Sequence, residues 1–179
     1  MIDPQQLIEK YYEAGSPLYQ VLITHSRQVC EKALRIADRH PELSIDRRFV
    51  EEAAMLHDIG IFRCHAPRIH CFGEAQYIEH GYLGADLLRS EGLPRHALVA
   101  ERHTGTGISV NEIIRNKLPL PLRSMEPESL EEQLICYADK FYSKTRLGSE
   151  HSVEKIKQDL ARFGSGALAR FEAWQAMFS

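Results

Sequence analysis

The chain has 179 residues, of which 44% are hydrophobic and 26% are charged, and its formal net charge is −3. This length suits one well-filled domain, which we expect to comprise the whole of residues 1–179. The charge gives no electrostatic basis for binding a nucleic-acid polymer or an anionic membrane. No apolar run approaches the roughly 18 residues that span a bilayer, and the N-terminus lacks a secretory pattern. We therefore expect a cytoplasmic globular protein.

Apolar residues recur at helical spacing in almost every segment of the chain. Gly60 is expected to stop the third helix, and residues 61–76 are expected to form a loop rich in histidine and arginine. No alternating strand pattern is found. The sequence therefore predicts an all-α, single-domain helical bundle. Helices are predicted at about 4–12, 18–37, 46–57, 77–90, 94–103, 110–116, 130–142, 153–163 and 165–178.

The four cysteines form no CxxC pair, so a zinc knuckle or a thioredoxin-type motif is not expected. We expect them to be reduced and packed in the interior. Histidines and aspartates are more informative, because six of them lie in helix interiors or at helix ends. These are His25, His57, Asp58, His80, His103 and Asp139.

Helical bundles build metal sites from side chains that project inward from facing helices. Imidazole and carboxylate ligands without thiolate suit divalent Fe, Mn, Zn, Co, Ni or Mg, which the sequence does not distinguish. Four such ligands could hold one ion, and six with a bridging carboxylate could hold two ions roughly 3.5–4 Å apart. The number of ions per chain, one or two, stays open at this point.

Several segments together resemble the HD-domain superfamily of metal-dependent phosphohydrolases, in its HDIG subgroup. The resemblance covers about residues 18–146. Its downstream part is similar to a branch of small HDIG proteins without an assigned substrate. The segments are His25 in an apolar helix, His57-Asp58-Ile59-Gly60, Glu79–Ala85, Glu91–Pro94, Glu101–Gly107 and Tyr137-Ala138-Asp139-Lys140.

The resemblance implies a helical bundle of the HD-domain type that cleaves a phosphoester or phosphoanhydride bond with a metal-activated water. The implied substrate is a nucleotide or another small phosphorylated metabolite, and a homodimer stays open. His57 and Asp58 would be the catalytic pair, with Asp58 bridging two ions. The implied ligands are His25, His57, Asp58 and Asp139 for the first ion, and Asp58, His80 and His103 for the second.

The chain departs from relatives in two places. Cyclic-dinucleotide phosphodiesterases carry a paired His-His, whereas Thr104 follows His103 here, which argues against that substrate. Many bimetal relatives have a lysine soon after the His-Asp pair, whereas Ile61-Phe62-Arg63 follows here. The phosphate-binding group is therefore open. Arg63 and Arg102 are preferred because arginine can bind two phosphate oxygens. The full set of candidates is Arg63, His65, Arg68, His70, Arg102 and Lys144.

Two other functions compete with hydrolysis. A non-catalytic module that senses a nucleotide or a metal would keep the fold without turnover. A di-iron oxygenase is the third reading, because some di-iron HD-domain relatives oxidise their substrates. Oxygen consumption in the presence of iron would separate that reading from hydrolysis.

Overall fold

A computed structural model describes residues 2–179 and confirms the all-α prediction. A short antiparallel hairpin, with His65 opposite Phe72, interrupts the helices. Within the described residues the helices are α1 (Pro4–Glu9), α2 (Pro17–Arg39), α3 (Arg47–Leu56), α4 (His80–Ser90), α5 (Pro94–Arg102), α6 (Val110–Asn116), α7 (Leu130–Asp139), α8 (Val153–Ala161) and α9 (Ser165–Phe178). The hairpin strands are β1 (His65–Ala66) and β2 (Cys71–Phe72).

The helices enclose two neighbouring apolar cores. One lies among α2, α3, α7, α8 and α9, and the other among α1, α2, α4 and α5. Trp174 and Phe178 of α9 are buried in the first core, as expected for a C-terminal helix that packs on its own chain. All four cysteines are free and buried, which confirms their packing role.

The long α2 crosses both cores, so a side chain on its buried face can meet residues from either. Helices α3, α5 and α7 pack against one another beside α2. No helix among residues 2–179 combines the length and the apolar character needed to cross a membrane.

Helix α7 is shorter than the sequence predicts, since it ends at Asp139 and does not continue through Tyr142. The chain turns there through short-range bonds, with the Phe141 and Tyr142 amides donating to the Ala138 and Asp139 carbonyls. Phe141 is nevertheless buried. The helical spacing of apolar residues therefore continues beyond the end of α7, because the turn places Phe141 in the same core.

Gly60 serves a different purpose from the one predicted. Helix α3 ends at Leu56, and Gly60 has a φ of −83°, so it is not a left-handed helix stop. A Cβ on Gly60 would lie 2.3 Å from the His80 carbonyl oxygen and 2.5 Å from the Gly84 nitrogen. Glycine is required here because the backbone of α4 lies directly against the turn after α3.

Candidate metal centre

A first cluster joins the ends of α3 and α7 to the middle of α2. Nε2 of His25 lies 2.9 Å from Oδ1 of Asp139 and 3.2 Å from Oδ2 of Asp58. Nε2 of His57 lies 3.1 Å from the same Asp58 oxygen. All four residues are buried, and one ligand atom from each lies within 4.8 Å of the others. This spacing suits four ligands of one ion.

A second cluster lies on the other side of Asp58. Oδ1 of Asp58 lies 3.3 Å from Nε2 of His80, at the start of α4, and 3.3 Å from Nε2 of His103, just after α5. The two oxygens of Asp58 thus face different clusters. The centre consists of two buried histidine and aspartate clusters that share one carboxylate, an arrangement consistent with a dinuclear metal site.

Hydrogen bonds to the backbone fix the tautomers of three histidines. The Nδ1 atoms of His57, His80 and His103 lie 2.6, 2.5 and 2.8 Å from the carbonyl oxygens of the residues three positions earlier. A carbonyl oxygen only accepts, so each Nδ1 carries a proton, and whenever the ring is neutral its Nε2 directs a lone pair into the centre. Hydrogen bonds of this kind, made by the ring nitrogen that does not face the metal, orient histidine ligands in metal sites. Nδ1 of His25 finds no comparable partner among residues 2–179.

Unpaired buried atoms show that these residues fit a metal centre. Nε2 of His57 and both carboxylate oxygens of Asp58 are inaccessible, yet no group in residues 2–179 meets them with hydrogen-bond geometry. Their contacts, including the 2.6 Å approach of Lys144 to Asp58, are close in distance but outside that geometry. Buried unpaired polar atoms are costly. Divalent ions would satisfy them.

The centre also shifts the pKa values of its members. Burial disfavours the charged form of Asp58, but Lys144 and His57 outweigh it and hold the pKa of Asp58 well below its usual range. Burial likewise opposes the imidazolium of His57, but Asp58 and Asp139 outweigh it and raise the pKa of His57 to about 9. For His103, burial prevails and lowers the pKa to about 4. At neutral pH the ion-free centre therefore holds His57 as an imidazolium and His103 as a neutral imidazole.

A cleft of about 530 Å³ opens beside the first cluster. Its walls come from the hairpin and from the turn after α7, and Asp139 lines it. Two lysines lie at its inner end. Nζ of Lys144 is 2.6 Å from Oδ2 of Asp58, and Nζ of Lys140 is 2.9 Å from Oδ2 of Asp139. Lys140 was not among the sequence candidates, although its place directly after Asp139 was a signal for it.

The structure brings two of the six candidate substrate contacts to this cleft, Arg68 and Lys144. Arg63, His65 and His70 are exposed on the hairpin segment outside the cleft lining. Arg102 instead pairs with Glu132 at 2.9 Å and Glu128 at 3.1 Å. That Arg63 and Arg102 are the preferred phosphate contacts stays a prediction.

The loop that follows His103 is held from outside by α9. Arg170 donates to the carbonyl oxygens of Thr106 and Gly107 at 2.9 and 3.1 Å and to Glu126 at 3.0 Å. The hydroxyl of Thr106 donates to the Ala167 carbonyl at 3.2 Å. The C-terminal helix therefore fixes the backbone that carries a ligand of the second cluster.

The helical bundle is consistent with the fold of an HD domain. The family model described as HD domain matches residues 22–143, most of the chain, and the protein belongs to this family. The family resemblance read from the sequence is confirmed.

The chain is also similar to three curated archaeal proteins. Two are tRNA (cytidine(56)-2'-O)-methyltransferases, from Picrophilus torridus (34% identical over 128 residues) and Thermoplasma volcanium (34% over 142 residues). They match 71% and 79% of this chain, but the chain covers only 33% and 37% of their length. The third is an uncharacterized protein of Methanocaldococcus jannaschii, 32% identical over 145 residues, or 79% of this chain and 78% of that protein. No solved structure matches significantly.

Proposed function

We propose that this protein is a metal-dependent hydrolase that cleaves a phosphoester or phosphoanhydride bond in a nucleotide or another small phosphorylated metabolite. One observation supports this most directly: the Asp58 carboxylate is shared between two buried clusters of histidine nitrogens. In two-metal sites, a carboxylate shared in this way helps to hold two metal ions that act on a phosphoryl group. Membership of the HD-domain family supports the same class of reaction.

Each residue of the centre has a part in this proposal. His25, His57, Asp58 and Asp139 would hold one divalent ion, and Asp58, His80 and His103 would hold a second. Bound there, the ions would supply a water of lowered pKa and would neutralise phosphoryl charge. His57 and Asp58 would hold the ions in position relative to the water and the phosphoryl group. The His57 ring is held by the Ala54 carbonyl and Asp58 is fully enclosed.

The cleft beside the first cluster supports a small substrate. Its volume of about 530 Å³ lies within the usual range of small-molecule sites, roughly 300–1,000 Å³. Lys140 and Lys144 place two positive charges at its inner end, beside the carboxylates of the centre. Such ammonium groups attract phosphoryl oxygens. The net charge of −3 gives no support for a nucleic-acid polymer as partner.

Methyl transfer to tRNA is not part of this proposal. The two relatives that carry this activity in their names are about three times as long as the stretch that matches this chain. The uncharacterized relative of similar length adds no substrate.

The proposal is tested with the full chain, purified without a chelator or a metal-affinity step. Elemental analysis should find divalent ions, with a ratio near two per chain if both clusters are filled. Phosphate release from nucleotides and sugar phosphates is then followed with each divalent ion in turn. Tight nucleotide binding without turnover under any ion would identify a sensing module. Oxygen consumption with iron, in the absence of phosphate release, would identify an oxygenase.

A further inference from the structure

Two ammonium groups at the inner end of the cleft are neutralised by the carboxylates of the candidate metal centre. Lys144 pairs with Asp58 and Lys140 with Asp139, and the two lysine side chains are only 13% and 14% exposed. A lysine side chain is ordinarily an ammonium group at neutral pH, so these two pairs bring two positive charges to the cleft.

Ion binding changes this balance of charge. The two carboxylates and the two ammoniums cancel in the ion-free centre. Carboxylates that bind divalent ions no longer neutralise the lysines, and the histidine ligands are neutral when they bind a metal. The loaded cleft therefore holds an excess of buried positive charge. Buried charge is costly unless a partner compensates it.

We propose that the cleft selects a terminal, dianionic phosphate, as in a phosphomonoester, over the monoanionic phosphate of a diester. The inference rests on the proposed function and narrows its substrate class. A terminal phosphate offers three unesterified oxygens, enough to contact the ions and both lysines. In a diester one of these oxygens is esterified, so one lysine would face a neutral ester oxygen and its substituent.

The walls of the cleft favour a compact group on that phosphate. Pro67 and Ile69 form an apolar side, and Ser143 and Thr145 supply hydroxyls. The Tyr77 ring is stacked on His80, with centroids 4.6 Å apart, so that face is not free to stack on a base. In the reaction, water adds to phosphorus, the bond from phosphorus to the leaving oxygen breaks, and that oxygen takes up a proton. The products are inorganic phosphate and an alcohol.

Binding without turnover is the first test. The Mn²⁺-loaded full chain is titrated calorimetrically with inorganic phosphate and with dimethyl phosphate at about pH 8.5, which is well above the second pKa of inorganic phosphate, so that phosphate is a dianion. Inorganic phosphate should bind at least about tenfold more tightly, since it makes one further contact to a charged group. Equal affinity, or tighter binding of dimethyl phosphate, would overturn the inference.

Lys144→Gln should weaken phosphate binding by about 10- to 100-fold and dimethyl phosphate binding by less. Lys144→Arg, which keeps the charge, should recover most of the preference. Arg115→Gln removes an exposed positive charge on α6 and serves as the matched control. Manganese content and melting temperature are measured on the same samples. Equal losses for both ligands in Lys144→Gln, or no recovery in Lys144→Arg, would count against the inference.

Kinetics separates this inference from the proposed function. Hydrolysis of p-nitrophenyl phosphate and of bis(p-nitrophenyl) phosphate is compared, because both release the same leaving group. Lys144→Gln should lower kcat/KM for the monoester more than for the diester. If the diester is cleaved and Lys144→Gln affects both equally, the inference fails while the hydrolase proposal stands. If neither is cleaved but phosphate binds selectively, the anion site stands and the hydrolase proposal fails.

Discussion

The Nε2 atoms of His80 and His103 face each other at 3.0 Å, although each ring already donates its Nδ1 proton to a backbone carbonyl. In the neutral tautomers these two nitrogens both present lone pairs, which repel each other. Burial holds the pKa of His103 at about 4, so protonation of that ring does not relieve the contact at neutral pH. A cation bound by both Nε2 atoms would relieve the repulsion between their lone pairs. This half of the centre is built for a positive charge.

Removing one of these rings should empty the second half of the centre alone. We expect His80→Ala and His103→Ala to lower the metal content from two ions per chain toward one. Hydrolysis should fall by at least about 10- to 100-fold, since even the loss of a group that only hydrogen-bonds to a metal ligand costs that much. Elemental analysis and a phosphate-release assay measure both effects. His40→Ala removes a surface histidine that pairs with Glu42, and it should behave as the parent.

Asp58 is the residue whose loss should affect both halves together. Asp58→Asn keeps the shape of the side chain but removes the charge that both clusters share. Metal content and hydrolysis should disappear in parallel, while Asp86→Asn, on an exposed part of α4, should keep both. The metal-free variant should also lose about 3 kcal/mol or more of stability, because Lys144 keeps a buried charge without its partner. A variant that hydrolysed substrate at the parental rate would refute the assignment of Asp58.

Metal binding should release a proton from His57. In the ion-free centre Asp58 and Asp139 outweigh burial and raise the pKa of His57 to about 9, so the ring is protonated at pH 7. A ligand nitrogen must be free of that proton. The apparent affinity for the first ion should therefore rise with pH and level off above about 9. Calorimetric titrations in buffers of different ionisation enthalpy count the protons, and zero release at pH 7 would contradict the shift.

Arg170 should matter for the second ion although it touches no ligand side chain. Arg170→Ala removes three bonds, two of them to carbonyls of the loop after His103. We expect about 2 kcal/mol of destabilisation in urea unfolding, the value of one or two bonds to a charged group. Affinity for the second ion should fall more than for the first. Arg162→Ala is the control, because that side chain is 78% exposed. Equal losses at both ions would indicate a general structural role.

The close contact between Gly60 and α4 gives a stability prediction. Gly60→Ala would place its methyl group 2.3 Å from the His80 carbonyl oxygen, so the turn and the helix must separate. Overpacking of this kind costs about 1–3 kcal/mol or more. Because His80 begins α4, second-ion affinity should fall with stability. Gly166→Ala is the control, since the nearest atom to its new methyl would be an Arg170 nitrogen at 3.6 Å. Parental stability in Gly60→Ala would disprove the contact.

Much of this fold could be predicted from the sequence, because helical spacing of apolar residues is a strong signal in a bundle. The same spacing extended α7 too far, since Phe141 enters the core from a turn. The hairpin was missed for a different reason. Its strands have two residues each, too few to show alternation.

The candidate centre was also largely visible, because buried histidines and aspartates are rare without a purpose. Sequence spacing placed the six residues on five helices, and the family resemblance implied that Asp58 bridges the two clusters. Lys140 was missed because its ammonium reaches the centre only when α7 ends at Asp139 and the chain turns back. Arg102 is predicted as a phosphate contact because it lies beside His103 in the sequence, yet its side chain pairs with Glu132.

The contacts that Arg170 of α9 makes with the loop after His103 reach beyond residues 22–143, the part of the chain that the family model matches. A fragment cut at residue 143 would keep every proposed ligand and would still lack Arg170. It would also uncover Tyr137, whose ring lies 5.2 Å from Phe171 and 5.6 Å from Phe178. Engineering of this domain, including its grafting onto another protein, therefore has to carry the C-terminal helix along with the metal ligands.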